Sequence, residues 1–502
     1  MSNLEALILC CKDIAVASSV QSLLAWDQET YMPAKAIGIR TQQQGFLAAH
    51  VHQRWTSTEF KACLGRFIDL DTGEIKQLSL SYQEKRLVEE LYRDWKKRDV
   101  IPTAFVEKQA KLVSQATHVW QEAVKKREYG MFEPYLSQLI DGAKQRAEYI
   151  DADQDAYNVC LDDYEPNVTR KQLDILLEGL VESCSELLRD IREKSLSYNK
   201  ATGPFCMDKQ WNYSMTVLKK MGFDFEKGRQ DKSMHPFTIN CHPNDVRVTT
   251  RLREDSLFEA LTSTVHEGGH GLYEQGLPEM YFGTPLAEAV SLGIHESQSR
   301  FWENHVCKSK AFWEGQFAEL QGLFPDALKS VTAVDLYKQV NKVEPGLIRV
   351  EADELTYVFH IYIRYICEKA LFDGEITTKE LPEYWNQLYQ RYLGVKPKHD
   401  AEGVLQDIHW SGGHFGYFPT YVLGSICAAQ LFHGYEKENG NADEAIRKGD
   451  WVPFKTWLAK QVYAHGRVYN PNELMERVTG EVMSSRYLLE YFRSKYVSLY
   501  AC

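Results

Sequence analysis

The stretch best suited to chemistry is His266-Glu267-Gly268-Gly269-His270. The residues around it read as a helix. Ser256 and Glu259 have the spacing of a capping box, Leu257, Phe258, Leu261 and Val265 follow at helical intervals, and Gly276 is placed as the C′ stop. On a helix His266 and His270 are four apart, so their imidazoles leave one face together. Two neutral imidazoles with a carboxylate beside them suit a zinc ion and the water it activates. The plainer alternative is a surface helix carrying two unrelated histidines. Gly268 and Gly269 each cost about 1 kcal/mol inside a helix. That cost implies a close approach to the backbone, for which a substrate is one candidate.

A catalytic zinc takes three protein ligands and keeps one position open. Glu274, Glu288, His295 and Glu296 all lie downstream, and spacing alone does not choose among them. Glu296, Arg300 and Glu303 would share a helix face. They offer either a supporting pairing for a ligand or an ordinary surface ion pair worth well under about 1 kcal/mol.

The elements that must position these residues are mostly helical. A first helix spans residues 4 to about 24, and Met32-Pro33 enforces a break after it. A second covers residues 40–54. Charged and apolar residues alternate at helical spacing over 84–97 and 104–128, with Phe105, Leu112, Ala116, Val119 and Ala123 as one buried stripe. Thr169 and Gln172 form another capping box. A further helix carries Trp211, Met215 and Leu218 up to Gly222. The one clear strand signal is Asp245 to Thr250, alternating and β-branched. Beside a metal-binding helix it reads either as part of a short sheet lining a groove for an extended peptide or as an isolated edge hairpin. Thr284-Pro285 is placed as N-cap and N1 of the helix containing His295-Glu296-Ser297. There is no internal repeat or long linker. The expected fold is mainly α: one domain over residues 1–502, with room for two lobes flanking a cleft.

Composition narrows the function classes. The chain has 502 residues, 44% hydrophobic and 25% charged, enough for a sizeable core. Its 58 basic against 70 acidic residues give a formal charge of −12, which disfavours nucleic acid and anionic membranes as partners. The 11 cysteines are odd in number, scattered and without a C-x-x-C pair, as expected for reduced thiols in the cytoplasm. No apolar run is read as transmembrane. The start lacks a basic n-region, which argues against a signal peptide.

Several ordered motifs together give the chain a family resemblance. They are His235-Pro236-Phe237, Asp245-Val246-Arg247-Val248-Thr249, the His266 to His270 stretch, and His295-Glu296-Ser297-Gln298-Ser299-Arg300. Further on come Ile348-Arg349-Val350-Glu351-Ala352-Asp353 and the run from Gly403 through Gln406-Asp407-Ile408-His409-Trp410-Ser411. Gly416-Tyr417-Phe418-Pro419-Thr420-Tyr421 and the early Trp26-Asp27-Gln28-Glu29 also fit. The sequence resembles the Taq-type thermostable metallocarboxypeptidases, zincins whose third metal ligand is a glutamate. It departs from them at Gly268, where a larger apolar residue is usual and whose absence would loosen the metal helix. It departs again at Asn167, where glycine is usual, which should affect only a turn.

The resemblance implies a large helical zincin fold with a deep substrate groove. It also implies one divalent ion per chain, zinc or else cobalt, and a homodimer. The implied activity is stepwise removal of C-terminal residues from peptides, with broad tolerance and little action on C-terminal proline. By position, His266, His270 and Glu296 should bind the metal, and Glu267 should be the general base. Tyr417, Tyr421 and His409 are candidates to stabilise the oxyanion, with core aromatics as the alternative reading. Asp245 and Asp407 resemble carboxylates that orient metal-ligating imidazoles, or else caps and turn formers. Arg349, with Arg247 as second choice, could hold the substrate's terminal carboxylate, or Arg349 could pair with Glu351 or Asp353. His235 is placed with substrate binding. Two rivals stand beside this reading: an endo-acting oligopeptidase on the same scaffold, and a non-catalytic helical protein that keeps a metal for structure.

Overall fold

The computed structural model describes residues 2–501. Two compact units form, each from three separate stretches of chain. The first takes the residues up to 99, then 198–340 and 427–483; the second takes 100–197, 341–426 and the residues from 484 onward.

The first unit opens with α1 (Asn3–Thr30) and α2 (Ile37–Trp55). Here α1 runs past Leu24, because Trp26 is buried with the Arg247 guanidinium 4.3 Å over its ring. By length and composition α1 is apolar enough to cross a membrane, contrary to the expectation above. Lys12 and Asp13 disguise this in the sequence, and Leu7, Cys10, Cys11 and Ile14 turn one side of it into the core. The next helix, α3 (Tyr82–Asp99), belongs to the same unit.

In the second unit α4 (Thr103–Lys126) buries Phe105, Leu112, Ala116 and Ala123, leaving Val119 half-buried. A short helix, α5 (Ala156–Leu161), leads to α6 (Arg170–Arg192), whose Thr169–Gln172 capping box is complete. Asn167 sits in the turn before it at φ 64°, a left-handed conformation that asparagine tolerates, and its N–H is taken by Asp162 at 3.0 Å.

Back in the first unit, α7 (Met207–Met221) ends at Gly222 with φ 89°. Three strands follow: β1 (Gly228–Lys232), β2 (Thr238–His242) and β3 (Asp245–Thr250). Their order is β1-β3-β2, with β1 parallel and β2 antiparallel to β3. The strand read from the sequence is therefore central, and the hairpin alternative falls. Val246 and Val248 are fully buried from its alternating pattern, and β2 is an edge.

The HExxH stretch lies on α8 (Leu257–Gly276). Ser256 accepts the Glu259 N–H at 3.3 Å, but the Glu259 carboxylate turns to Arg251 and Arg253, so only half of the box forms. Gly276 is the last helical residue, followed by extended Leu277, and is no left-handed stop. Its missing side chain makes room for Tyr463, whose ring would lie 2.4 Å from a Cβ.

The paired glycines also have a structural cause. A Cβ on Gly269 would meet the Gln298 carbonyl oxygen at 2.5 Å and the Ser299 Cα at 2.7 Å. Those atoms belong to α9 (Leu292–Arg300). A Cβ on Gly268 would meet Leu218 at 2.6 Å and Met221 at 3.0 Å. The close approach is thus to neighbouring helices and not to a substrate, and α7 fills the space that a larger residue at 268 would take.

Thr284-Pro285 opens only a single 3₁₀ turn; α9 is N-capped by Ser291, whose side chain accepts the Ile294 N–H. Seven residues of π-helix, Phe301–Cys307, continue α9. The second unit then supplies α10 (Glu354–Asp373), and α11 (Pro419–Asn439) begins in that unit and ends in the first.

Candidate metal centre and substrate cluster

Within the first unit, the tight crossing of α8 and α9 at Gly269 brings Glu296 to the two histidines. His266, His270 and Glu296 each offer one ligand atom, all within 4.8 Å of one another, a group that could hold a metal ion. Nε2 of His270 lies 3.3 Å and Nε2 of His266 lies 3.7 Å from Glu296 Oε2.

The remaining ring nitrogens are engaged, which fixes how the rings face. His266 Nδ1 lies 2.8 Å from Glu303 Oε2. An ionised carboxylate only accepts, so His266 carries a proton on Nδ1 and Nε2 is the nitrogen it turns towards Glu296. His270 Nδ1 lies 2.6 Å from His295 Nδ1, and His295 Nε2 lies 2.7 Å from Glu274 Oε1. Asn240 on β2 donates to the other Glu274 oxygen. By the same logic Glu274 takes the His295 Nε2–H, His295 Nδ1 accepts from His270, and His270 presents a bare Nε2. The donor set and its orientation suit a divalent ion.

Charge in this cluster follows from burial and partners. Burial opposes the His266 charge, but Glu296 and Glu303 outweigh it and raise its pKa. Burial, then His295, holds His270 down at about 3. Burial alone would raise Glu296, but Arg300, His266 and His270 keep it below the usual carboxylate range. Burial is likewise outweighed at Glu303, by Lys308 and Arg300. Arg300 Nε donates to Glu296 at 2.7 Å, and its Nη1 donates to Glu303 at 3.2 Å. The pairing anticipated for Glu296, Arg300 and Glu303 is thus a buried network rather than a surface pair.

Glu267 is 6% exposed and accepts the Thr238 hydroxyl at 2.6 Å. Burial raises its pKa against the opposing pull of His266 and that hydrogen bond. Of the other carboxylates that spacing left open, Glu274 serves His295, and Glu288 is more than half exposed and paired with Arg467 at 3.0 Å.

Asp245 does not orient a metal imidazole. Residues two apart share a strand face, so its oxygens take the Arg247 Nε and Nη2 at 2.8 and 3.0 Å. That pairing closes the Arg247 fork in the bidentate geometry that a substrate carboxylate would need. His235 is exposed, and its carbonyl accepts the Ser233 hydroxyl.

The second unit carries the other predicted residues. Arg349 is 7% exposed, with Nε 2.8 Å from Asp407 Oδ1, Nη1 2.9 Å from the Tyr357 hydroxyl, and its guanidinium 4.9 Å over the Tyr421 ring. It pairs with neither Glu351, which is exposed, nor Asp353, which caps α10. Asp407, like Asp245, is held by arginine. Its second oxygen accepts Arg364 Nε at 2.7 Å, so it neutralises two buried arginines and orients no metal ligand. His409 Nε2 lies 3.2 Å from the Tyr421 hydroxyl, and the Tyr417 ring is 5.0 Å from the His409 ring. Burial, with Arg349 and Arg364 against the pull of Asp407, holds His409 at about 3, so it is neutral.

Sequence reasoning missed what Thr238, Glu274 with His295, and Arg364 do, and it grouped Glu303 with Glu296 and Arg300 but not with His266. Thr238 follows the His235-Pro236-Phe237 motif directly. Glu303 lies seven residues after Glu296, and Arg364 is a charge set among Ile361, Ile363, Tyr365 and Ile366; these were the available signals.

A family model described as carboxypeptidase Taq (M32) metallopeptidase matches residues 7–496. Carboxypeptidase 1 of Bacillus subtilis is 38% identical over 498 residues, 97% of each chain. Thermostable carboxypeptidase 1 of Thermus thermophilus is 39% identical over 501 residues, again 97% of each. The crystal structure of the M32 carboxypeptidase from Deinococcus radiodurans superposes with a TM-score of 0.96 at 34% identity, covering 100% of both chains. Nothing among these matches favours the endo-acting or non-catalytic rivals. With this much of its length matched, the chain is a metal-dependent peptide hydrolase of the carboxypeptidase Taq (M32) family.

Proposed function

We propose that the chain removes single C-terminal residues from peptides of many sequences, using one divalent ion held by His266, His270 and Glu296. Zinc is the first choice and cobalt the second, since two imidazoles and a carboxylate with an open fourth position suit both. The observation that carries this reading is the convergence of those three ligand atoms next to a buried Glu267. When bound, such an ion acidifies water and polarises a carbonyl. Glu267, with its raised pKa and its Thr238 hydrogen bond, accepts the proton of the attacking water and returns it to the leaving amine. Neutral His409, with Tyr417 and Tyr421, supplies hydrogen-bond donors to the developing oxyanion. Arg349 anchors the terminal carboxylate through the two N–H groups it does not give to Asp407 and Tyr357. Arg247, its fork already filled, and exposed His235 are secondary candidates. Edge strand β2 offers main chain along which an extended peptide can lie.

Broad tolerance, the homodimer and a cytoplasmic setting rest on the family resemblance and on the scattered thiols. The deciding experiment measures metal content together with hydrolysis of an N-blocked peptide and its C-amidated twin. Cleavage of the free acid alone supports the proposal. Cleavage of both at equal rates overturns it in favour of an endopeptidase.

A further inference from the structure

The helix α10 is buried almost all round from Leu355 to Leu371, and His360, Arg364 and Glu368 within it have no exposed surface. Charges buried this way require partners. Arg364 has Asp407. Glu368 has three hydrogen-bond donors instead of a cation. Tyr157 Oη and the Gly416 N–H donate to its Oε2 at 2.7 and 3.0 Å, and Trp410 Nε1–H donates to its Oε1 at 2.8 Å. Trp410 directly follows His409, and Gly416 directly precedes Tyr417. One carboxyl group therefore ties down both ends of the turn between them.

We propose that Glu368 is the positioning residue for His409 and Tyr417, clasping the two ends of the loop from which they project. The proposal rests on the reading that these side chains work on substrate. The same helix face also supplies Tyr357, which receives Arg349, and Arg364, which receives Asp407; spacings of seven and four keep all three rungs aligned. The loop has no slack to take up on the far side. A Cβ on Gly416, at φ 81°, would meet Leu161 N at 2.8 Å and Cys160 C at 2.9 Å.

The clasp requires a carboxyl group. Trp410 Nε1–H and the Gly416 N–H can only donate, and they approach different oxygens. A glutamine in the same place accepts at one end and donates at the other, so one tether is lost whichever way the amide turns. Tyr157 is the adaptable partner: its hydroxyl donates to an ionised Glu368 and can accept from a protonated one. Burial pushes the Glu368 carboxyl up to about 7, and the geometry is satisfied on both sides of that value.

The test uses metal-loaded enzyme carrying Glu368→Gln or Tyr157→Phe. It reads hydrogen exchange by segment and steady-state kinetics on an N-blocked free-acid peptide. Losing a hydrogen bond to a charged group corresponds to roughly tenfold to a hundredfold. Glu368→Gln should raise exchange at 408–418 and lower kcat/KM by about that factor, with metal content and exchange elsewhere unchanged. Tyr157→Phe also removes a hydrogen bond to Glu368, but one that tethers neither end of the loop, so kcat/KM and exchange at 408–418 should stay within about threefold of the parent; a change as large as that of Glu368→Gln overturns the proposal. Unchanged exchange at 408–418 in Glu368→Gln overturns the proposal, as does a rise spread evenly over the second unit. Faster exchange with unchanged kinetics supports the clasp and instead defeats the assignment of this loop to substrate. If Glu368→Gln does not fold, Trp410→Phe removes one tether from the opposite side, and unchanged exchange at 408–418 overturns the proposal there too.

Discussion

Glu267 illustrates what a single residue contributes once its surroundings are known. Burial raises its pKa against the pull of His266, and one hydrogen bond holds it, which suits a base that must both take and release a proton. Glu267→Gln should keep metal and fold while kcat falls by about 10²–10⁴. A variant with full metal and near-parent kcat would remove Glu267 from the mechanism. The third ligand can be ranked in the same way. Glu296→Ala should weaken metal affinity most, measured by equilibrium dialysis against a chelator. His295→Ala should cost less, through the lost support of His270. Glu288→Ala should cost least, because that side chain is bound to Arg467 and largely in solvent. Any other ranking reassigns the ligand. Arg349→Ala should lower kcat/KM on free-acid peptides by about one to three decades and change C-amidated peptides little. Equal losses on both would make Arg349 structural, a supporting bond for Asp407 that Arg364 partly replaces.

At the scale of elements, the crossing of α8 over α9 decides whether a metal group exists at all. Backbone meets backbone at Gly269, and only that closeness puts Glu296 against the two imidazoles. Gly269→Ala should push the helices apart. Overpacking of this kind costs about 1–3 kcal/mol, seen as a lower Tm, and metal affinity should fall with it. Gly268→Ala meets the mobile ends of Leu218 and Met221 rather than backbone. Its effect should be smaller, or reversed, since alanine is the better helix former. Calorimetry with and without metal separates the two. If both variants bind metal like the parent, the crossing is more tolerant than its geometry indicates.

Whole-molecule stability should carry the signature of Glu368. Its pKa is raised in the folded chain to about 7, against an ordinary glutamate value of 4.5. The folded state therefore binds more protons than the unfolded state between those values. By linkage, the contribution of this group is fully present below about 4.5, is lost as pH rises through about 7, and is constant above it. Replacing Glu368 with glutamine should flatten the pH dependence of Tm across that window. An unchanged slope would mean that another group titrates there.

The sequence alone determined a large share of this protein, where the information is local or periodic. Helix starts at Thr169 and Ser256, the strand from Asp245, and the paired imidazoles of His266 and His270 depend on residues within a turn or two of one another. The ordered motifs carried the family, and with it the proposal of Glu296 as the third ligand. Tertiary structure decided what depends on distant partners. Asp245 and Asp407 look alike as isolated carboxylates, but Asp245 goes to Arg247 across the strand pleat and Asp407 to Arg349 and to Arg364 of α10, because those are what the fold brings within reach. Gly268, Gly269 and Gly276 read as a substrate approach and a helix stop, and each is instead a place where another helix or ring presses in. The spacing of Glu303 from Arg300 was legible but its hold on His266 was not, and Glu368 has no local signature at all, because these groups arrive from other elements: His266 from α8, and Tyr157, Trp410 and Gly416 from segments far along the chain. A buried polar group takes whichever partners the fold delivers, and that delivery is set by packing between elements rather than by spacing within one.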